Sequence, residues 1–496
     1  MILSIIQPVK RIFKQDGFSG NVVRLMTGNI TAQAISLLAI PVITRLFSPE
    51  NYGIFSLYAS LAIIFSVFSS LSYVSALLLP KDDGDACNIF GLCVLAVSGM
   101  SFLVFIGIFF FNKNICHLLN APQIELYLWL LPLSIFFDGI YLSFNYWSLR
   151  KKRFTQLSIS RVVGSLSDRA LALCAGFFGY LSAFVLIISR LLSVSLSILT
   201  LSFSVWRQDR GSIKTSLSRK KIAFNAKRYQ KFPLISNWSI VLNNVSRQIP
   251  IIMLAIFFTP KIVGLYALST RILAMPMGLL GDVIFRVFFQ KIAETKNQGG
   301  DLTELSLELL HHLICLTIIP LIFLAIIGKE VFALVFGSSW ELAGTYTQIL
   351  SFMFFMSFIS RPFGAFFSVF EKQEVRLYFD TVLLVSRGAS FFIGGLMNSV
   401  LLAITFYSIS SVIVLLILIF WLLNFVGAAN IRIFVVLGHS FILAFPFLAM
   451  LAGAKFVLHC SPVVLIILSI ILMLLYYIIL VYRDERMRSL FVFKTT

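Results

Sequence analysis

FSPENYGIFSL, residues Phe47 to Leu57, returns as FTPKIVGLYAL, Phe258 to Leu268, 211 residues further along the chain. Seven of the eleven positions match in kind: Phe, a hydroxyl residue, Pro, a Gly four after the Pro, an aliphatic, an aromatic and Leu. Pro and Gly alone recur in many short turns, but the ordered set marks an internal repeat. A second correspondence runs at an offset of 219, where Arg161 and Asp168 align with Asp380 and Arg387, and Val163, Ser167 and Ala170 align with Val382, Ser386 and Ala389. The charges occupy equivalent places with opposite sign.

The residues around these repeats are those of a membrane protein. The chain has 496 residues, of which 59% are hydrophobic, 15% aromatic and 12% charged, with 51 Phe and a mean hydropathy of +0.95. Soluble domains are about a quarter charged, so a soluble enzyme is excluded. Apolar runs of about 20 residues fall at 22–46, 53–79, 88–111, 125–148, 155–178, 181–206, 232–258, 263–290, 303–327, 345–370, 377–399, 400–424, 433–455 and 461–482. The expected fold is an all-α polytopic membrane protein of about fourteen transmembrane helices. It is built from two six-helix pseudo-symmetric lobes plus two extra C-terminal helices. An even number of spans per repeat gives the halves one orientation, related by an axis along the membrane normal. The expected organisation is an N-terminal lobe over 1–206, a basic linker over 207–231, a C-terminal lobe over 232–426, and spans 13 and 14 with a tail over 427–496.

The net charge is +19, from 40 Lys plus Arg against 21 Asp plus Glu. In a soluble protein this would suggest nucleic acid; here no nucleic-acid partner is expected, because the cations follow the positive-inside bias. With the N-terminus in the cytoplasm, 26 Lys and Arg fall on cytoplasmic segments and only Lys113, Lys261, Lys329 and Lys455 on the other side. Both termini are therefore expected in the cytoplasm. Residues 1–16 interleave Ile5, Ile6, Val9, Ile12 and Phe13 with three cations and lack a cleavage pattern, which reads as an interfacial amphipathic segment. The six cysteines and the pair His311-His312 show no metal-ligand or disulfide spacing, so no metal or cofactor is expected.

Ten cations remain within the spans: Arg24, Arg45, Arg161, Arg169, Arg190, Arg247, Arg271, Arg286, Arg361 and Arg387. All are Arg, whose planar, permanently charged fork grips phosphate or carboxylate through paired hydrogen bonds. Arg24, Arg45 and Arg286 lie near span ends, where a long side chain reaches the headgroups. An Arg at mid-depth costs about 2.5–3.5 kcal/mol if it faces lipid, so the deeper ones are expected to pair or to face water. The intramembrane carboxylates are Asp138, Asp168, Asp282 and Asp380, leaving a formal surplus of +6. Asp282 and Arg286 share a helix face, as do Arg161 with Asp168 and Asp380 with Arg387. A cationic cavity between the lobes is expected, lined first by Asn243, Asn244 and Arg247 of the seventh span and Arg271 of the eighth. Arg361 precedes Pro362, where a kink would open the backbone to the site.

The run TRLFSPENYG, Thr44 to Gly53, with two six-span halves and two trailing spans, resembles the oligosaccharide (Wzx-type) flippases. Their superfamily, the MOP superfamily of multidrug, oligosaccharidyl-lipid and polysaccharide exporters, also holds the MATE drug antiporters and the lipid II flippases. Arg45 stands at the motif's Arg position, ahead of the Phe-x-Pro turn. The resemblance implies a non-enzymatic transporter of the bacterial inner membrane. Its implied cargo is an undecaprenyl-pyrophosphate-linked oligosaccharide, moved by alternating access through a cationic cavity and passed on to polysaccharide polymerase machinery for O-antigen or a related surface glycan. A pyrophosphate cannot cross hydrocarbon unaided, while its tail stays in the lipid bilayer, so this cargo suits the Arg surplus. Asp138, Asp282 and Asp380 are candidates for a coupling ion, proton or sodium. Arg161 and Asp380, on opposite lobes, are candidates for a cytoplasmic gate, with Asp168 and Arg387 beside them. The alternatives are a MATE-type drug antiporter, which favours an acidic or apolar cavity, a lipid II-type flippase, and a polytopic polymerase, which needs a larger exofacial loop than Gly328 to Gly344.

Overall fold

The structure, a computed structural model, describes residues 18–483. The expected amphipathic segment 1–16 lies outside the described residues, as do the side chains of Arg24 and Asp282. Among the described residues there are sixteen helices of ten or more residues and no strand. The first eight are α1 (Phe18–Leu46), α2 (Pro49–Ser69), α3 (Asp83–Leu118), α4 (Leu131–Arg150), α5 (Phe154–Phe177), α6 (Ala183–Ser216), α7 (Arg219–Arg228) and α8 (Asn237–Phe257). The second eight are α9 (Pro260–Pro276), α10 (Asp282–Asn297), α11 (Leu302–Phe336), α12 (Glu341–Phe363), α13 (Gln373–Leu396), α14 (Val400–Phe425), α15 (Asn430–Phe456) and α16 (Pro462–Arg483).

Helix starts follow local chemistry. Ser48 accepts a hydrogen bond from the Asn51 N–H ahead of Pro49 at the first turn of α2, Asp82 caps α3 through the Asp85 N–H, and Ser399 caps α14 through the Leu402 N–H. Asp301 caps α11 by accepting from the N–H groups of Thr303 (2.8 Å) and Glu304 (3.0 Å). These bonds hold its carboxyl below the usual carboxylate range.

Eleven of the described helices are long and apolar enough to cross a membrane, or twelve if Pro122–Leu128 and Leu131–Arg150, bent by 52°, form one span. Two of the fourteen expected spans fall short, for separate reasons. The run 155–178 becomes α5, whose 24 residues hold Arg161, Asp168 and Arg169. The run 263–290 breaks at a π-helical turn, Met277–Gly281, into the 17-residue α9 and the 16-residue α10. Pro276 has no N–H to give the preceding turn, and Gly278 and Gly281 remove side-chain support at the break. The expected exofacial loop at Gly328 to Gly344 is mostly helix: α11 bends at Ile327 and runs on to Phe336.

Helix ends carry the repeat. α1 and α8 end at Leu46 and Phe257, and α2 and α9 begin at Pro49 and Pro260, both pairs 211 apart. The starts of α3 and α11 and both ends of α5 and α13 are 219 apart. Left-handed backbone recurs at the same offset, at Lys152 (φ 55°) and Glu371 (φ 55°), then at Gly179 (φ 89°) and Asn398 (φ 50°). The change of offset places eight additional residues between Pro260 and Leu302, the stretch that contains the π-helical break.

The chain divides into two compact units, the first ending at Gly264 and the second beginning at Leu265. In the first, Trp147 of α4 is fully buried among Cys87, Phe90 and Cys93 of α3 and Val205 of α6. In the second, the Phe-rich composition supplies stacked rings: Phe363 with Phe366, Phe367 with Trp421, and Trp421 with Phe425. There α15 packs on α11, and α16 packs on both.

Candidate functional site

The repeated turn builds a backbone crossing inside the first unit. A Cβ on Gly53 would collide with the Pro260 carbonyl and lie 2.9 Å from the Gly264 nitrogen. A Cβ on Gly264 would collide with the Pro49 carbonyl and lie 2.9 Å from the Gly53 nitrogen. Equivalent residues thus receive each other reciprocally, so the first turns of α2 and α9 cross with no side chain between them. Next to this crossing Asn51 Nδ2 donates to the Leu181 carbonyl at 2.6 Å.

Behind the crossing, α2 directs three hydroxyls at two other helices of the unit, α4 and α8. The Tyr58 hydroxyl and Ser134 Oγ of α4 share a 2.5 Å hydrogen bond. Ser60 Oγ donates to Gln248 Oε1 of α8 at 2.8 Å. Ser66 Oγ donates to Asp138 Oδ2 at 3.2 Å, and Arg190 Nη2 of α6 lies 3.7 Å from the same oxygen. Asp138 and Arg190, both expected within the spans, are thus brought together as a loose, partly exposed ion pair. On α8, Arg247 is exposed, Asn243 and Asn244 are half-buried, and Asn244 Nδ2 donates back to the Ile240 carbonyl at 2.8 Å.

The charges at helical spacing of seven take other partners. Arg161 Nη1 donates to Asn29 Oδ1 of α1 at 2.6 Å, and Asp168 pairs with its neighbour Arg169 at 3.1 Å. In the second unit Asp380 pairs with Arg376 at 3.6 Å, and the Arg387 guanidinium sits 5.8 Å over the Tyr407 ring. Arg271 is half-buried on α9 and Arg286 exposed on α10, while Arg45 is exposed at the end of α1. Arg361 is half-buried, and its Cδ lies 3.2 Å from where a Gly281 Cβ would stand, against the π-helical turn. Pro362 sits at the end of α12, which stops at Phe363 ahead of a short Ala365–Val369 helix. His311 Nδ1 is 2.9 Å from Ser440 Oγ.

Sequence reasoning missed Tyr58, Ser60, Ser66, Ser134, Gln248 and Asn29. The hydroxyls give no signal, because a serine that reaches another helix looks the same in sequence as Ser56, which bonds back to the Tyr52 carbonyl. Gln248 was discoverable as an uncharged polar residue beside Arg247 in mid-span.

The family model described as polysaccharide biosynthesis protein matches residues 42–345. The teichuronic acid biosynthesis protein TuaB of Bacillus subtilis (strain 168) is 25% identical over 260 residues, 51% of this chain and 53% of that protein, so the match spans about half of TuaB. An uncharacterized membrane protein in the cps region of Klebsiella pneumoniae is 22% identical over 367 residues, 72% of each chain. Among solved structures, the lipid II flippase MurJ in an inward closed conformation aligns with a TM-score of 0.72 at 14% identity, over 93% of this chain and 99% of that one. An inward-facing multidrug MATE transporter of the MOP superfamily aligns with a TM-score of 0.56 at 15% identity, over 82% and 98%. The multi-pass helical fold is the one shared by these two solved structures. The match to more than half of its length places this chain in the polysaccharide biosynthesis protein family.

Proposed function

We propose that the protein is a flippase for a polyprenyl-pyrophosphate-linked oligosaccharide, an O-antigen or similar surface-polysaccharide repeat unit, working by alternating access in a bacterial inner membrane. The observation that carries this reading is the all-Arg charge within the fourteen spans expected from the sequence, in a chain of this family: ten guanidiniums against four carboxylates. Among the described residues Asp138 pairs with Arg190, Asp168 with Arg169 and Asp380 with Arg376, and by formal count four carboxylates leave six of the ten charges in excess. A drug-cation antiporter has no use for such a surplus, whereas a pyrophosphate does.

Arg45 and Arg247 of the first unit, with Asn243 and Asn244, and Arg271 and Arg361 of the second are the proposed pyrophosphate contacts. Arg161, Asp380, Asp168 and Arg387 are the proposed gate group. Asp138 and Asp282 are the proposed sites for a proton or sodium ion, and both termini are proposed to be cytoplasmic. The test is depletion of the protein in its own bacterium, with analysis of lipid-linked intermediates by leaflet. Complete repeat units held on the cytoplasmic leaflet support the reading. Unchanged glycan export sinks it, and accumulation of lipid II instead transfers the activity to the peptidoglycan precursor.

A further inference from the structure

Helix α6 carries a stripe that changes chemistry along its length. Leu196, Leu199, Phe203, Trp206, Arg210 and Lys214 follow at spacings of three and four, so they share one face. The apolar part of that face forms one wall of a groove of about 840 Å³, completed by Phe90 of α3, Phe144 of α4 and Val163 of α5, all within the first unit. Its size lies in the range of ligand pockets, about 300–1,000 Å³. At the linker end of the groove stands Trp206, 58% exposed. The Arg210 guanidinium lies 4.8 Å over its ring and the Lys214 ammonium 5.7 Å.

The neighbouring acids do not neutralise this pair of cations. Asp209, one residue before Arg210, accepts from Trp147 Nε1 at 2.9 Å and pairs with Arg153 at 2.8 Å. Asp83 is held by Arg150 and Lys151, and Asp85 faces Arg228. Among the described residues Arg210 and Lys214 take part in no ion pair, and the following α7 adds Arg219, Lys220, Lys221 and Lys227, all exposed. An apolar groove thus leads to an interfacial Trp and then to two cations, in the order of acyl chain, glycerol and phosphate in one leaflet.

We infer that this groove is a binding site for an anionic phospholipid of the leaflet on the linker side, the cytoplasmic leaflet by the positive-inside count. The acyl chain lies along Leu199 and Phe203, and the phosphodiester is received by Arg210 and Lys214 beside Trp206. The site is separate from the proposed pyrophosphate contacts, and its occupant is a resident lipid, not cargo.

The test uses the full-length protein, purified and exchanged into nanodiscs of phosphatidylcholine with added phosphatidylglycerol of the same acyl chains. Retained lipid is read by native mass spectrometry. The wild type is expected to keep phosphatidylglycerol on the order of tenfold over phosphatidylcholine. Arg210→Gln with Lys214→Gln, both exposed and so compatible with folding, is expected to bring that preference close to one. Thr200→Phe, which fills the groove and leaves the cations intact, is expected to lower retention of both lipids. Equal retention of the two lipids by the wild type overturns the proposal, as does undiminished preference in the double variant. Displacement of phosphatidylglycerol by a polyprenyl phosphate at equal concentration also overturns it, because the groove would then belong to the cargo's tail.

Discussion

Loss of Asp209 is expected to be costly to the first unit. Asp209 accepts from the buried Trp147 indole, and both it and Arg153 are 10% exposed. Asp209→Ala would strand a buried guanidinium, so a loss of about 3–5 kcal/mol is expected, read as a fall in the thermal midpoint of the detergent-solubilised protein. Glu304→Ala is the contrast: its 2.6 Å pair with Arg432 has both side chains about half exposed, and about 0–1 kcal/mol is expected. A larger loss from Glu304 than from Asp209 would refute this ranking. The same distinction explains what was legible in the sequence at this scale. Spacings of four and seven identify residues that share a face, but not which of the available partners is taken. Asn29 of α1 takes Arg161, and Arg376, one turn away, takes Asp380. Asp138 with Arg190 was out of reach for the same reason, since the two are brought together only by packing of α4 on α6.

At the scale of elements, the repeat was readable because a Pro at the first turn and a Gly four residues later leave a mark that hydropathy does not hide. The structure gives that mark a cause: Gly53 and Gly264 receive each other's backbone, so each position excludes a Cβ. Gly53→Val and Gly264→Val are each expected to force α2 and α9 apart, with a loss of about 1–3 kcal/mol or more, while Gly99→Ala, which meets nothing within 4 Å, is expected to be neutral. Thermal midpoints of the three variants check this, and a Gly53→Val protein as stable as wild type would refute the crossing. The break at Met277–Gly281 was not readable. The run 263–290 is apolar enough to scan as one span, and periodicity does not report a shift from α to π hydrogen bonding. Conversely, α5 scans poorly as a span because of Arg161, Asp168 and Arg169, the charges that made it a candidate for function.

For the whole molecule, the charge separates by location into three roles. On the side opposite the linker, Lys329 pairs with Glu341 and Lys455 with Glu330, so two of the four cations assigned there are offset by acids. On the linker side Arg207, Arg210 and Lys214 of α6 and the cations of α7 stand exposed, and we propose that they set the orientation in the membrane. Cysteine labelling is expected to find positions 210 and 227 accessible only from the cytoplasm, and labelling from outside intact cells would invert the topology. Within the fourteen spans expected from the sequence the surplus is Arg alone, and the central claim is that this surplus carries a pyrophosphate across. The most direct test places the purified protein in liposomes loaded with a polyprenyl-pyrophosphate-linked oligosaccharide and follows, with a membrane-impermeant glycosidase, how much of the glycan stays protected. The account predicts that the wild type empties the protected pool and that Arg247→Ala with Arg271→Ala, in a protein that remains folded, leaves it filled. A pool unchanged by the wild type, or emptied as fast by the double variant, would contradict it.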